Sequence, residues 1–598
     1  MRHTHFSLIP LIGVLALPLS AQQAADAVAP EAPASATQAF KGADIAESLA
    51  AKEAGTPVEG QGWMVAAANP YAVRAGARIL EAGGTAADAM VAVQAVLGLV
   101  EPQSSGLGGG AFLVWYNAAT GEVTSLDGRE TAPLTATPRL FQTADGERMK
   151  FFDAVIGGRS VGTPGTPALL EAAHDRWGLV RWGHLFDDAI FLAEDGFPVS
   201  PRLATLVAAD ADRLASFPAT AAYFLPSGQP LTEGSRLTNP AYARTLRLIA
   251  RDGAGVFYTG EIARGIVEAV EGATGNPGLL SLTDLAIYRV KERAPVCVPY
   301  NAHQVCGMGP PSSGALTVGQ ILGMLDRFDL GALGPESAEA WRLIGDASRL
   351  AFADRGRYMA DSDFVPVPVK GLVAPDYLAR RAALLSGPEA LAAVAPGNPE
   401  YDHALNWADN VDISHPSTSH ISIIDSYGNA LSMTTTIENG FGSRVMAPGG
   451  FLLNNELTDF SFASHADGLP IANRVEPGKR PRSSMAPTIV LKDGKPVLIV
   501  GSPGGSRIIG YVAKTIIAHL DWGMDVQAAI DMPHAVNRFG TFDLEDGTSA
   551  ADLAMPLEAI GYEVNLRALT SGLHAISVGE SLLGGADPRR EGIVLGGQ

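Results

Sequence analysis

The chain has 598 residues, 47% apolar and 18% charged, with 43 Lys plus Arg against 63 Asp plus Glu and a formal charge of −20. That length and apolar content can bury a sizeable core, so a chain disordered throughout is not the default. The acidic balance, without any Lys/Arg-rich run, excludes a nucleic-acid surface or an anionic-membrane surface, both of which need clustered positive charge.

The N-terminus begins Met1-Arg2-His3, continues with an apolar stretch over 6–19 and ends in Ser20-Ala21. It reads as a secretory signal peptide over 1–21, and no later segment reaches about 18 uninterrupted apolar residues. The protein is therefore expected to be exported, periplasmic or secreted. Residues 22–60 are expected to form a flexible leader, rich in Ala, Pro and Gln over 22–38. Two helices are expected over 71–100, separated by Gly83-Gly84. A Gly-rich run over 104–110 follows, then a strand over 111–116 and a second strand closing at Asp127-Gly128-Arg129-Glu130. The stretch from 167 to about 390 reads as helix-rich, with a long helix near 338–357.

Within it lie the chain's two cysteines, in Cys297-Val-Pro-Tyr-Asn-Ala-His-Gln-Val-Cys306. Two short strands around an Asn301-Ala302 turn would set the sulfurs opposite each other. In an oxidising compartment a disulfide is then favoured over two buried thiols. There is no CxxC, HExxH or His/Cys cluster, so neither a metal nor a cofactor is expected. The run Gly158-Arg159-Ser160-Val161-Gly162 fits the GxSxG serine-hydrolase pattern, but Pro164 and Pro167 argue against the immediate helix that pattern needs.

After Pro416 the chain alternates like paired strands. The segment Ser417 to Thr436 turns through Asp425-Ser-Tyr-Gly-Asn429, and placing Ile424 opposite Ala430 sets Thr418 opposite Thr436 at the open end of the hairpin. A second hairpin turns through Lys492-Asp-Gly-Lys495. With Leu491 facing Pro496, Ser483 reaches the level of Gly504, gathering Ser483-Ser484 and Gly501-Ser-Pro-Gly-Gly505 at one edge. Hydroxyls and backbone N–H groups so placed can bind an anion or an oxyanion.

At these residues the sequence resembles the γ-glutamyltransferases (γ-glutamyltranspeptidases), a family of N-terminal-nucleophile hydrolases. The resemblance spans about residues 60 to 595. It is carried by Gly83-Gly-Thr-Ala-Ala-Asp-Ala89, the 104–110 run, Asp127-Gly-Arg-Glu-Thr-Ala-Pro133, Leu452-Leu-Asn-Asn-Glu-Leu-Thr-Asp-Phe460, Lys479-Arg-Pro-Arg-Ser-Ser-Met-Ala-Pro487 and Gly501-Ser-Pro-Gly-Gly505, all in order. It implies an α+β fold, a four-layer αββα sandwich. It also implies a precursor that cuts itself between Ser417 and Thr418 into a large subunit (61–417 after the leader) and a small catalytic subunit (418–598), which associate as a heterodimer.

By the same resemblance Thr418 is nucleophile and, through its freed α-amine, base, and Thr436 orients it. Gly504 and Gly505 supply the oxyanion N–H groups. Arg129, with Ser483 and Ser484, takes the donor carboxylate, and Glu438, Glu456 and Asp459 take the ammonium. Some members carry Asn at the position of Glu438, and the segment between Asp459 and Ser483 is shorter than a full lid loop and lacks a tyrosine gate. The implied substrates are glutathione and other γ-glutamyl compounds, with water, amino acids or peptides as acceptors and no nucleic-acid or membrane partner. The alternatives are a same-family acylase for glutaryl or cephalosporin side chains or polyglutamate, and a catalytically dead exported binding protein.

Overall fold

A computed structural model describes residues 42–401, 406–410 and 417–598. The expected signal peptide lies outside these residues. Residues 43–60, the end of the expected leader, are built into the fold as helix α1 (Ala43–Glu53), which buries Ile45 and Leu49, and strand β1 (Val58–Gly60). Two apolar residues a turn apart make one narrow stripe, which becomes visible only once a sheet is there to receive it.

The strands of the two large sheets, in chain order after β1, are β2 (Trp63–Ala67), β3 (Gly110–Asn117), β4 (Glu122–Gly128), β5 (Lys291–Arg293), β6 (Val296–Tyr300), β7 (His303–Gly307), β8 (Ser419–Ile424), β9 (Ala430–Thr436), β10 (Thr488–Lys492), β11 (Lys495–Gly501), β12 (His574–Val578), β13 (Leu582–Ala586) and β14 (Ile593–Gly597). One seven-stranded sheet runs β1-β13-β12-β11-β10-β7-β6, the other β14-β2-β8-β9-β3-β4-β5. Every neighbouring pair in both is antiparallel.

Side-chain alternation sorts the second sheet into two buried faces. Val65, Ala67, Leu113, Trp115, Ile421, Ile423, Leu431 and Met433 pack on helices α2 (Pro70–Glu81) and α3 (Ala86–Val100). Their neighbours Met64, Ala66, Phe112, Val114 and Ala430 share a core with Ile489, Ile499 and Ile576 of the first sheet. That core continues to α4 (Gly314–Leu325), α5 (Ala338–Tyr358) and α6 (Ile508–Leu520). The result is the expected αββα sandwich.

Polar groups join the two sheets. Ser432 Oγ donates to the Val500 carbonyl (3.2 Å) and accepts from Thr488 N–H (3.0 Å), and Ser422 Oγ donates to the His574 carbonyl (3.1 Å).

Turn chemistry decides several local features. α3 opens on a Thr85/Asp88 capping box. The β6–β7 hairpin turns through Asn301 and Ala302, both at positive φ, and sets Cys297 opposite Cys306 in a disulfide, which leaves no free cysteine. Ser160 lies in a 3-10 turn (Gly158–Ser160), fully buried, its Oγ donating to the Val155 carbonyl at 2.6 Å. The next helix starts at Thr166, so the exposed serine elbow of a GxSxG hydrolase is absent there.

Candidate functional site

The β8–β9 ladder has the expected register, Ile424 facing Ala430 and Ser419 facing Thr435. Thr418 therefore enters β8 beside the last residue of β9, and their hydroxyls lie 3.3 Å apart. Thr418 Oγ1 donates to the Ser417 carbonyl, and Thr436 Oγ1 donates to the same oxygen at 2.8 Å. Thr436 is held in turn by the Glu438 N–H, 2.9 Å from its oxygen, and Ser417 Oγ donates to the Gln103 carbonyl at 2.7 Å. Gln103 belongs to the loop that carries the Gly-rich run. Gly109 lets that run pass against β9, since a Cβ there would lie 2.0 Å from the Thr436 carbonyl oxygen.

The second hairpin departs from its expected register. Leu491 does face Pro496, but a bulge between Val490 and Leu491 sets Val490 opposite Leu498 and Thr488 opposite Val500. Ser483 is outside this ladder altogether. It bridges Ser312, its N–H donating to the Pro311 carbonyl (3.1 Å) and its carbonyl accepting from Ser313 N–H (2.8 Å). Pro487, which has no N–H to donate, precedes the first ladder residue of β10.

The ends of β4, β9 and β11 and the starts of β8 and β10 converge on a small, partly open cavity. Its walls include Arg129, Thr418, Thr436, Glu438, Glu456, Asp459, Ser483, Ser484 and Gly505. Gly504 is not in the wall. It stands at φ 137°, where a Cβ would meet the Tyr511 ring, and Gly505 follows at φ 58°. Two successive residues at positive φ aim the chain into the 3-10 turn (Gly505–Arg507) that leads to α6.

Arg129 follows β4, fully buried, and its guanidinium donates to Glu456 and, at 2.5 Å, to Asp459 Oδ2, both on a 3-10 turn (Glu456–Asp459). The Pro481 and Arg482 carbonyls accept two more of its N–H groups (3.2 and 3.1 Å). The resemblance implies a carboxylate side and an ammonium side among these groups. The structure sets the two sides directly against each other.

Burial pushes the Glu456 carboxyl well up from its ordinary value, against the pull of Arg129. The adjoining Glu130, also buried, is pushed up to about 8 for the same reason. Burial thus shifts both carboxyls toward their neutral form. Glu438 is at φ 76° and accepts from Asn455 Nδ2.

Sequence reasoning missed Glu130, although it adjoins Arg129 in the same motif. It also missed Asn455 and Arg355, whose Nη2 donates to Ser484 Oγ at 2.9 Å. Arg355 is one of several charged residues on α5, and nothing in its local pattern marks it out. Among the described residues, no group of three His, Cys, Asp or Glu side chains is placed to hold a metal ion.

A four-layer αββα sandwich, with a threonine at the start of a central strand and its hydroxyl on the preceding carbonyl, defines an N-terminal-nucleophile hydrolase precursor. The chain belongs to the gamma-glutamyltranspeptidase family, whose model matches residues 72–597. It is 38% identical over 550 residues to a glutathione hydrolase proenzyme of Bacillus subtilis (strain 168), covering 90% of this chain and 92% of that one. It is 34% identical to an acylase ACY 1 proenzyme of Pseudomonas sp. (strain SE83), covering 87% and 90%. Among solved structures, a cephalosporin acylase from Bacillus halodurans superposes with a TM-score of 0.80 at 26% identity, covering 90% of this chain and 97% of that one. Gamma-glutamyltranspeptidase from Helicobacter pylori gives 0.54 at 34% identity, covering 56% and 96%.

Proposed function

We propose that the protein is an exported γ-glutamyltransferase and glutathione hydrolase that activates itself by cutting between Ser417 and Thr418. The conclusion is carried by the pair of hydroxyls at the Ser417 carbonyl. Thr418 Oγ1 attacks that carbonyl, Thr436 Oγ1 steadies its oxygen at 2.8 Å, and the ester so formed is opened by water. Thr418 is left with a free α-amine. Such an amine has a pKa near 8 and can take the proton from Thr418 Oγ1 when the hydroxyl attacks a γ-glutamyl carbonyl.

The acyl ester on Thr418 then passes to water, or to the amine of an amino acid or peptide. Gly504 and Gly505 are assigned to the tetrahedral oxyanion, with Gly505 in the cavity wall. The large and small subunits stay joined after the cut, because β8 pairs with β2, β9 with β3 and β10 with β7 across it. Export follows from the sequence of residues 1–21, and no helix among the described residues is long and apolar enough to cross a membrane.

The acylase reading is favoured by the similarity to the Bacillus halodurans and Pseudomonas acylases. The site argues for the γ-glutamyl donor. A glutaryl chain has no ammonium to offer Glu438, the buried acidic side chain of the cavity wall that Arg129 does not pair. The test compares turnover of γ-glutamyl-4-nitroanilide with that of a glutaryl amide, alongside intact mass of the wild type and Thr418→Ala. Wild-type protein is expected as two chains that prefer the γ-glutamyl anilide, and Thr418→Ala as one inactive chain. A processed Thr418→Ala chain would refute the mechanism, and a preference for the glutaryl amide would refute the substrate class.

A further inference from the structure

The turn between β13 and β14 carries Asp587-Pro-Arg-Arg-Glu-Gly592, which no part of the site described above uses. Arg590 on this turn is buried and does not line the substrate cavity, yet its Nη1 donates to the Thr418 carbonyl at 3.1 Å. The turn is itself anchored. Lys52 of α1 donates through Nζ to the Arg590 carbonyl (2.9 Å) and the Gly592 carbonyl (2.6 Å). Glu591 Oε1 accepts from Arg202 N–H (2.8 Å), and Asp587 accepts from Leu573 N–H (3.0 Å) and Arg589 Nη1 (3.1 Å).

We propose that Arg590 is a positioning residue for the nucleophile: it fixes the Thr418 carbonyl, and with it the hydroxyl and the freed amine, while its permanent positive charge favours the unprotonated form of that amine. The inference rests on Thr418 being the nucleophile.

Both consequences follow from covalent geometry and charge. An N-terminal residue has lost the peptide bond that held its nitrogen, so its carbonyl is the backbone group left to set its orientation. A guanidinium is charged at every working pH and donates in a fixed plane. The amine and the carbonyl oxygen belong to one residue, so the amine lies within about 7 Å of Nη1. A like charge at that range in a partly dry site lowers an amine's pKa by about one unit or more.

The surrounding charges make this necessary. Across the cavity Glu438 and Asp459 face Thr418, Asp459 paired with Arg129, beside Glu456, whose carboxyl burial shifts toward its neutral form; the carboxylates among them favour the protonated amine. Around the C-terminal turn are Lys52, Arg202, Asp587 with its ion-pair partner Arg589, Glu591 and His574, whose imidazole burial keeps neutral. Arg590 is the cation in direct contact with Thr418's own backbone, and it offsets the carboxylates in front.

The test measures kcat and KM for γ-glutamyl-4-nitroanilide from pH 5 to 10 on processed wild type, Arg590→Met, Arg590→Lys and Lys52→Met, with Thr418→Ala in parallel. Arg590→Met is expected to move the acid limb up by about one pH unit and lower kcat about tenfold or more, with KM little changed; Arg590→Lys should restore the limb. Lys52→Met keeps the guanidinium but frees the turn, and should lower kcat about three- to tenfold without moving the limb. A processed Arg590→Met enzyme with an unmoved limb and wild-type kcat overturns the proposal. If Arg590→Met is not processed, wild-type kcat in Lys52→Met together with a displaced limb in Arg590→Lys overturns it instead. An active, processed Thr418→Ala would instead remove the nucleophile assignment itself, whichever way Arg590 behaves.

Discussion

Thr436→Val tests the geometry of self-cleavage most directly, because it exchanges a hydroxyl for a methyl at nearly constant shape. In the precursor the Thr436 hydroxyl donates to the Ser417 carbonyl at 2.8 Å and accepts from the Glu438 N–H at 2.9 Å. That carbonyl oxygen becomes an oxyanion as Thr418 attacks. Loss of one preorganised donor to such an oxygen lowers the rate about 10² to 10³-fold, or roughly 3–4 kcal/mol of barrier. The orphaned Glu438 N–H is buried, so the folded state should also lose about 1–3 kcal/mol of stability.

The assay follows conversion of the single chain to two chains on a denaturing gel, with urea unfolding of the unprocessed form. Thr436→Ser retains the hydroxyl and loses only a methyl, about 1 kcal/mol of packing, so it should cleave within about tenfold of wild type. Wild-type cleavage rates in Thr436→Val would refute the role of Thr436 at the scissile carbonyl.

Arg129→Ala should lower kcat/KM for a γ-glutamyl donor by about 2–5 kcal/mol while self-cleavage persists, since Arg129 makes no bond to Ser417; near-normal kcat/KM would refute its place in donor binding. Reduction or Ser substitution of the Cys297–Cys306 bridge, separated by nine residues, should cost about 2–3 kcal/mol of stability and spare activity; the oxidised protein should show no thiol on titration after denaturation. His574 is pushed down to about 3 by burial, while an unfolded histidine titrates near 6.5, so the unfolded chain binds more protons between these values. Its stabilising contribution is full above pH 6.5 and falls by about 1.4 kcal/mol per pH unit down to 3. Urea unfolding at pH 7 and pH 4 measures this, and equal stability at both would refute the neutral buried imidazole.

Short-range features of this protein were determined by the sequence alone. The β8–β9 register follows from a turn of Asp, Gly and Asn between alternating residues, so the meeting of Thr418 with Thr436 was legible before any coordinates. The Cys297–Cys306 pair rests on the same physics, a short turn and a period of two. The ordered motifs added the family and the membership of the cavity wall.

Tertiary structure decided what depends on distant segments meeting. Arg129 reaches Glu456 and Asp459 only because the end of β4 and the turn after β9 converge at one end of the sandwich. Arg355 finds Ser484, and Arg590 finds the Thr418 carbonyl, across 129 and 172 residues of chain. The bulge in β10 removed a register that alternation alone had implied, and α1 formed where composition suggested only a leader. Local spacing encodes pleat and turn, because those are set by the backbone of a few neighbours. The partner of a buried charge is set by which segments the core brings together, and no local pattern carries that information.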